Sequence, residues 1–264
     1  MDALGGLDFH PQSVSMVVTS SCTGYMIPGI DVHIARELGL SSATARLPIT
    51  EAGCAGGVVA IARAFDYLRL HPCASALVVA TELCSLAFHA EREEGNLVSA
   101  LLFADGAGAA LLTSDFEPGN GLELHGSASM LVPCPPEVLG FRLTDQGFYP
   151  LLSRDLVDRL PEPTVEAVSR LLSLSGIATR DVAFWLIHPG GPRVLEALQR
   201  RLCIPYEAAR WSWQTLRESG NTSSAAILEV LARYLSDPCA PSGWGVVMAF
   251  GPGLSIELLL VRRC

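Results

Sequence analysis

Residues 56–70 read as a helix that is apolar nearly all round, with Val58, Val59, Ile61, Ala62, Phe65 and Leu68 spread over every face. A helix with no polar face has to be enclosed, so this one is central rather than peripheral. Around it run short segments that are apolar without alternation. Residues 14–19, 76–80, 107–113, 182–187 and 245–250 read as strands buried on both faces, and 47–50, 122–127 and 254–261 as further strands. Helices are expected over 28–38, with Pro28 in the first turn and Gly39 as the stop, and over 163–174, 192–202 and 222–235. Strands alternating with helices imply an α/β fold with a parallel-rich sheet covered on both faces. The Asp, Pro, Gly and Asn cluster at 114–121 marks a boundary, giving units over 1–118 and 119–264. The pattern after it resembles the pattern before it.

Composition narrows the function classes. Of 264 residues, 50% are hydrophobic and 17% charged, so a large buried core is expected. A net charge of −9 without a basic cluster argues against nucleic acid as a partner. The eight cysteines (22, 54, 73, 84, 134, 203, 239 and 264) are scattered, with no CxxC pair, and point to reduced thiols in a cytoplasmic protein rather than to a metal site. The first residues show no basic-then-apolar leader. The longest apolar stretch, 97–112, is broken by Asp105 and small residues, so no membrane span is expected.

Three polar positions stand where regular elements meet loops. Cys54 lies in Gly-Cys-Ala-Gly-Gly ahead of the enclosed helix. An exposed sulfur at the positive end of a helix favours thiolate, hence a nucleophile able to accept an acyl group. His188, in His-Pro-Gly-Gly-Pro, is expected to hold that thiolate as an ion pair and to donate to a developing oxyanion. Asn221, in Ser-Gly-Asn-Thr-Ser-Ser, offers a neutral amide donor that polarises a thioester carbonyl without quenching a carbanion.

These stretches, with Leu-Phe-Ala-Asp-Gly-Ala-Gly (102–108) and Phe-Gly-Pro-Gly-Leu (250–254), resemble the type III polyketide synthases, the chalcone-synthase-like branch of the thiolase-fold condensing enzymes. The resemblance spans nearly the whole chain. It implies a layered αβαβα fold and a homodimer. It also implies an acyl-CoA starter loaded on Cys54 and malonyl-CoA decarboxylated under His188 and Asn221. Iterated Claisen condensation and closure to a pyrone or phenolic product would follow. CoA thioesters are the substrates, and no metal or redox cofactor is implied. By the same resemblance Phe103 and Phe148 are aromatic gates, and Ala87, Leu139 and Ser223 set cavity size. Thr23 lies in the turn beside the nucleophile, Cys22 is a candidate second cavity thiol, and Pro252 shapes the cavity floor. Small Ala87 leaves room for a long starter, and a pentaketide naphthalene product is equally open.

Two departures keep alternatives open. Ketoacyl synthase III enzymes share the fold and a Cys/His/Asn set, but their histidine segment reads His-Gln-Ala-Asn, so a single condensation is the second reading. Cys54 also comes earlier than its place in the family. The N-terminal half is therefore expected to be incomplete, lacking its first strand and the basic residues that grip CoA phosphates. That would expose an apolar sheet edge and leaves an inactive homologue as the third reading.

Overall fold

The computed structural model describes residues 9–87, 94–114, 121–145 and 147–264. In chain order, β1 (Val14–Ser20), α1 (Ile30–Glu37), β2 (Ala45–Ile49), α2 (Gly56–Leu70), β3 (Ser75–Glu82), α3 (Glu94–Leu102) and β4 (Gly106–Thr113) come first. They are followed by β5 (Glu123–Leu131), the hairpin β6 (Leu139–Thr144) and β7 (Gly147–Leu152), α4 (Leu156–Arg159) and α5 (Pro161–Leu174). The chain closes with β8 (Val182–Ile187), α6 (Pro192–Leu202), α7 (Arg210–Ser219), α8 (Ala226–Ser236), β9 (Gly243–Gly251) and β10 (Ser255–Arg263).

Two four-stranded sheets result, ordered β2-β1-β3-β4 and β5-β10-β9-β8. Their pairings repeat. β1 runs parallel to β3 and β3 antiparallel to β4, just as β8 runs parallel to β9 and β9 antiparallel to β10. The likeness between the first and second parts of the sequence is thus a likeness of topology.

Strand alternation sorts the apolar side chains into layers. Met16, Val18, Ala76, Val78 and Ala80 of the first sheet, and Phe184, Leu186, Val247, Ala249 and Leu259 of the second, share one core with α2 and α8. The opposite faces look outward. Val14, Val17, Leu77 and Val79 pack under Ile34 of α1 and its C-cap Leu38, while Trp185, Ile187, Met248 and Leu258 pack under α5 and α6. This is the expected αβαβα order, with α2 enclosed because both of its sides meet a sheet. A fully buried aliphatic side chain such as Ile61 contributes about 1.5–3 kcal/mol there. β4 forms one edge of the first sheet and is half-exposed for most of its length.

The structure corrects several expectations. Pro28 precedes α1, which begins at Ile30 with extended Gly29 as its N-cap and buried Asp31 in its first turn. The helix expected from 222 begins only at Ala226, after a tight turn over Ser223–Ala225 in which Ser223 is left-handed at φ 50. The apolar stretch 97–112 divides into α3 and β4, and α7 and the β6–β7 hairpin were not foreseen. The boundary at 118–119 falls outside the described residues. Among the described residues, no helix is long and apolar enough to cross a membrane.

Candidate active site

Cys54 sits in a tight turn, Gly53–Ala55, that feeds directly into α2. Gly53 has φ +53, and a Cβ there would stand 2.5 Å from Pro252 Cδ, so only glycine lets the β9–β10 loop close over the cysteine. A Cβ on Gly57 would meet Ser224 O at 2.3 Å; its absence lets the start of α2 press against the turn ahead of α8. That contact brings Ser223 to the nucleophile, and Cys54 Sγ donates to Ser223 Oγ at 3.6 Å.

His188 follows the last residue of β8 and is tied by its backbone, with His188 N donating to Met248 O at 2.8 Å. It is buried, and neither ring nitrogen has a hydrogen-bond partner among the described residues. Asn221 is buried too. Its Oδ1 accepts the Ser223 N–H at 2.9 Å, which turns its amide nitrogen toward Gly190 O at 3.5 Å and leaves it beside the Cys54 thiol.

The electrostatics reverse one expectation. Burial pushes the Cys54 thiol up to about 11; hydrogen bonding with Ser223 and Asn221 opposes the rise, and the Glu82 carboxylate adds to it. Burial alone drops His188 to about 3, so its imidazole is neutral at physiological pH. Both shifts run against a Cys54–His188 ion pair, and each has burial as its first cause. Desolvation outweighs the helix-end dipole for the thiol, and the same desolvation keeps the imidazole uncharged.

A cavity of about 480 Å³ opens beside Cys54. Cys22, Thr23, Ala87, Phe103, Leu139, Ser223 and Pro252 are among the residues that line it. His188 and Asn221 stand outside this lining. Phe148 is a correction. It lies toward the hairpin turn, 42% exposed, edge-on to Phe141 at 6.0 Å, and Phe141 with Pro150 and Leu152 makes the cavity wall instead. Phe148 shares a strand face with Pro150 and Leu152, but it stands nearer the turn, so it extends past them.

Sequence reasoning missed Glu82. It is fully buried at the end of β3 and accepts from Cys22 N, Cys22 Sγ, Thr23 N, Thr23 Oγ1, Ser224 N and Ser224 Oγ. A lone carboxylate closing an otherwise apolar strand, Leu-Val-Val-Ala-Thr-Glu, was its signal. Cys84 was missed as a cavity thiol; burial, then Glu82, pushes it up to about 12.

Comparison with known proteins follows the same lines. Residues 9–116 match the family model described as chalcone and stilbene synthases, N-terminal domain, and residues 123–264 match the C-terminal domain model. A 1,3,6,8-tetrahydroxynaphthalene synthase of Streptomyces griseus is 33% identical over 258 residues, covering 97% of this chain and 68% of the relative. The alpha-pyrone synthesis polyketide synthase-like Pks18 of Mycobacterium tuberculosis is 32% identical over 271 residues, covering 99% of this chain and 69% of the relative. The crystal structure of the Streptomyces coelicolor tetrahydroxynaphthalene synthase superposes with a TM-score of 0.92 at 33% identity, over 99% of this chain and 75% of that one.

Proposed function

The chain belongs to the chalcone and stilbene synthase family, the type III polyketide synthases, and from that premise we propose which residues carry the reaction and how. Iterative condensation of malonyl-CoA onto an acyl starter, with closure to a pyrone or phenolic product, is the family's chemistry. In this chain Cys54 takes the acyl group as a thioester. Malonyl-CoA then places its thioester carbonyl between His188 and Asn221. Loss of CO2 leaves an enolate, held by the imidazole N–H and the amide N–H2, and its carbon attacks the Cys54 thioester.

The observation that carries this reading is His188. A neutral imidazole buried with both nitrogens unpartnered among the described residues costs free energy, and a thioester oxygen accepting its N–H recovers it. A neutral donor suits an enolate, because it stabilises the oxyanion without supplying a mobile proton to carbon. The scheme takes CoA thioesters as substrates and uses no metal or redox cofactor, since decarboxylation drives each condensation.

The proposal includes a cytoplasmic homodimer. Exposed Tyr25 and Ile27, 69% and 86% accessible beside Met26, support a second copy as cover. Sedimentation at micromolar concentration tests that part.

The activity test incubates the protein with an acyl-CoA and malonyl-CoA, with Cys54→Ala as control, and reads products by mass. Pyrone or phenolic polyketides are expected. A lone β-ketoacyl product, or use of carrier-bound malonate alone, would favour the ketoacyl synthase III reading and overturn this one.

A further inference from the structure

Asn221 stands in the link 220–225 between α7 and α8, and the two helices enclosing it are fixed differently. α8 is seated by Ala226, Ile227, Leu228, Val230 and Tyr234, all buried. The buried residues of α7 are Trp211, Ser212 and Thr215, so its last turn, 216–219, is not fixed by the core.

Polar contacts to α8 fasten that turn instead. Ser219 Oγ donates to Glu229 Oε1 at 2.5 Å. Arg233, one turn further along α8, donates to the same oxygen through Nη2 at 2.7 Å and Nε at 3.1 Å. Its Nη1 reaches back to α7 and donates to Glu218 Oε2 at 2.6 Å. One carboxylate oxygen thus collects three donors, and one guanidinium spans both helices. The Glu229 and Arg233 side chains are only 18% and 21% exposed, so water screens this pair less than an ordinary surface ion pair.

Ser219 is separated from Asn221 by Gly220 alone. Gly220 takes φ +74, and a Cβ there would lie 3.3 Å from Leu102 O, so the chain turns tightly past the end of α3. Asn221 N then donates to Leu102 O at 3.0 Å. The Asn221 backbone is therefore tied to α3 directly and to α8 through Ser219. Its side chain is oriented by the Ser223 N–H on Oδ1, which leaves the amide nitrogen on the Cys54 side.

We propose that Glu229 is a positioning residue for the Asn221 amide. It holds Ser219, with Arg233 bracing it, and so fixes where the donor stands relative to Cys54. The inference rests on Asn221 being the donor to the malonyl thioester. Glu229 is absent from the cavity lining and acts through geometry. A donor misplaced by about 1 Å loses about 100-fold in rate, which makes a clamp outside the cavity count.

The test separates two half-reactions. Loading of Cys54 from an acyl-CoA, read by intact mass, uses the thiol. Decarboxylation of malonyl-CoA, read as CO2 release, uses the Asn221 donor. Glu229→Ala is expected to decarboxylate about 10- to 100-fold more slowly while loading at the wild-type rate. Glu229→Gln keeps an oxygen for the Ser219 hydroxyl and is expected to recover most of that loss. Hydrogen exchange of the peptide 216–222 is expected to quicken in Glu229→Ala and to stay near wild type in Glu229→Gln. Ser219→Ala cuts only the link to α7 and is expected to show both effects in milder form; it carries the test where Glu229→Ala does not fold. Wild-type decarboxylation in Glu229→Ala, an equal fall in loading and decarboxylation, or Glu229→Gln behaving like Glu229→Ala overturns the proposal. Asn221→Ala keeps the two claims apart. If it decarboxylates like wild type while Glu229→Ala exchanges faster over 216–222, the clamp holds the link but the donor reading falls. If Asn221→Ala is slow and Glu229→Ala changes neither rate nor exchange, the donor reading stands and the clamp falls.

Discussion

Phe103 and Asn221 are joined backbone to backbone as a parallel bridge, with Asn221 N donating to Leu102 O and Ala104 N donating to Asn221 O, each at 3.0 Å. The aromatic cavity wall at the end of α3 and the amide donor ahead of α8 are therefore held at one spacing.

Because that bridge uses only main-chain atoms, Asn221→Ala keeps it while removing the donor. The expected loss in kcat is about 100- to 1000-fold, the usual effect of deleting one oxyanion donor. The Ser223 N–H loses its acceptor, costing about 1–3 kcal/mol of stability. Steady-state kinetics alongside urea unfolding checks that activity falls far more than stability explains.

His188 sets a pH dependence of stability. Its folded pKa, about 3, lies below the ordinary value of 6.5, so the unfolded chain binds the extra proton between them. Its contribution is fully present above about pH 6.5 and is lost as pH falls toward 3, at up to about 1.4 kcal/mol per unit. His188→Gln keeps an N–H donor and is expected to flatten that part of the profile. Urea midpoints of both proteins at neutral and mildly acidic pH measure it.

Gly53→Ala strains the turn under Pro252 twice, through a positive φ and a Cβ at 2.5 Å from Pro252 Cδ. A destabilisation of about 1–3 kcal/mol is expected, with Tm lowered by several degrees. Calorimetry checks it, and unchanged stability would mean that the β9–β10 loop shifts freely.

Ala87 lines the cavity and is partly exposed, so Ala87→Phe fills space without crowding the core. Products are expected to shift toward fewer condensations while unfolding stays within about 0.5 kcal/mol of wild type. Product masses and a denaturation curve taken together test this.

Local patterning made much of the fold legible. α2, β8 and α6 fall where periodicity and Pro192 place them, because those signals lie within the element itself. β6, β7 and α7 were hidden. The hairpin carries apolar Phe141, Leu143 and Phe148 on exposed positions, so its pattern does not resemble a half-buried strand. Cys54, His188 and Asn221 were legible as three stations at element ends, but their charge states were not.

The sequence alone determined most of the segments that are buried and the positions of Cys54, His188 and Asn221 at the ends of regular elements. Tertiary structure decided how those side chains behave. Burial makes Cys54 a high-pKa thiol and His188 a neutral, unpartnered imidazole. It also gathers Cys22, Thr23 and Ser224 around Glu82. Desolvation and hydrogen-bond partners come from residues far away in the chain, and no local pattern encodes them.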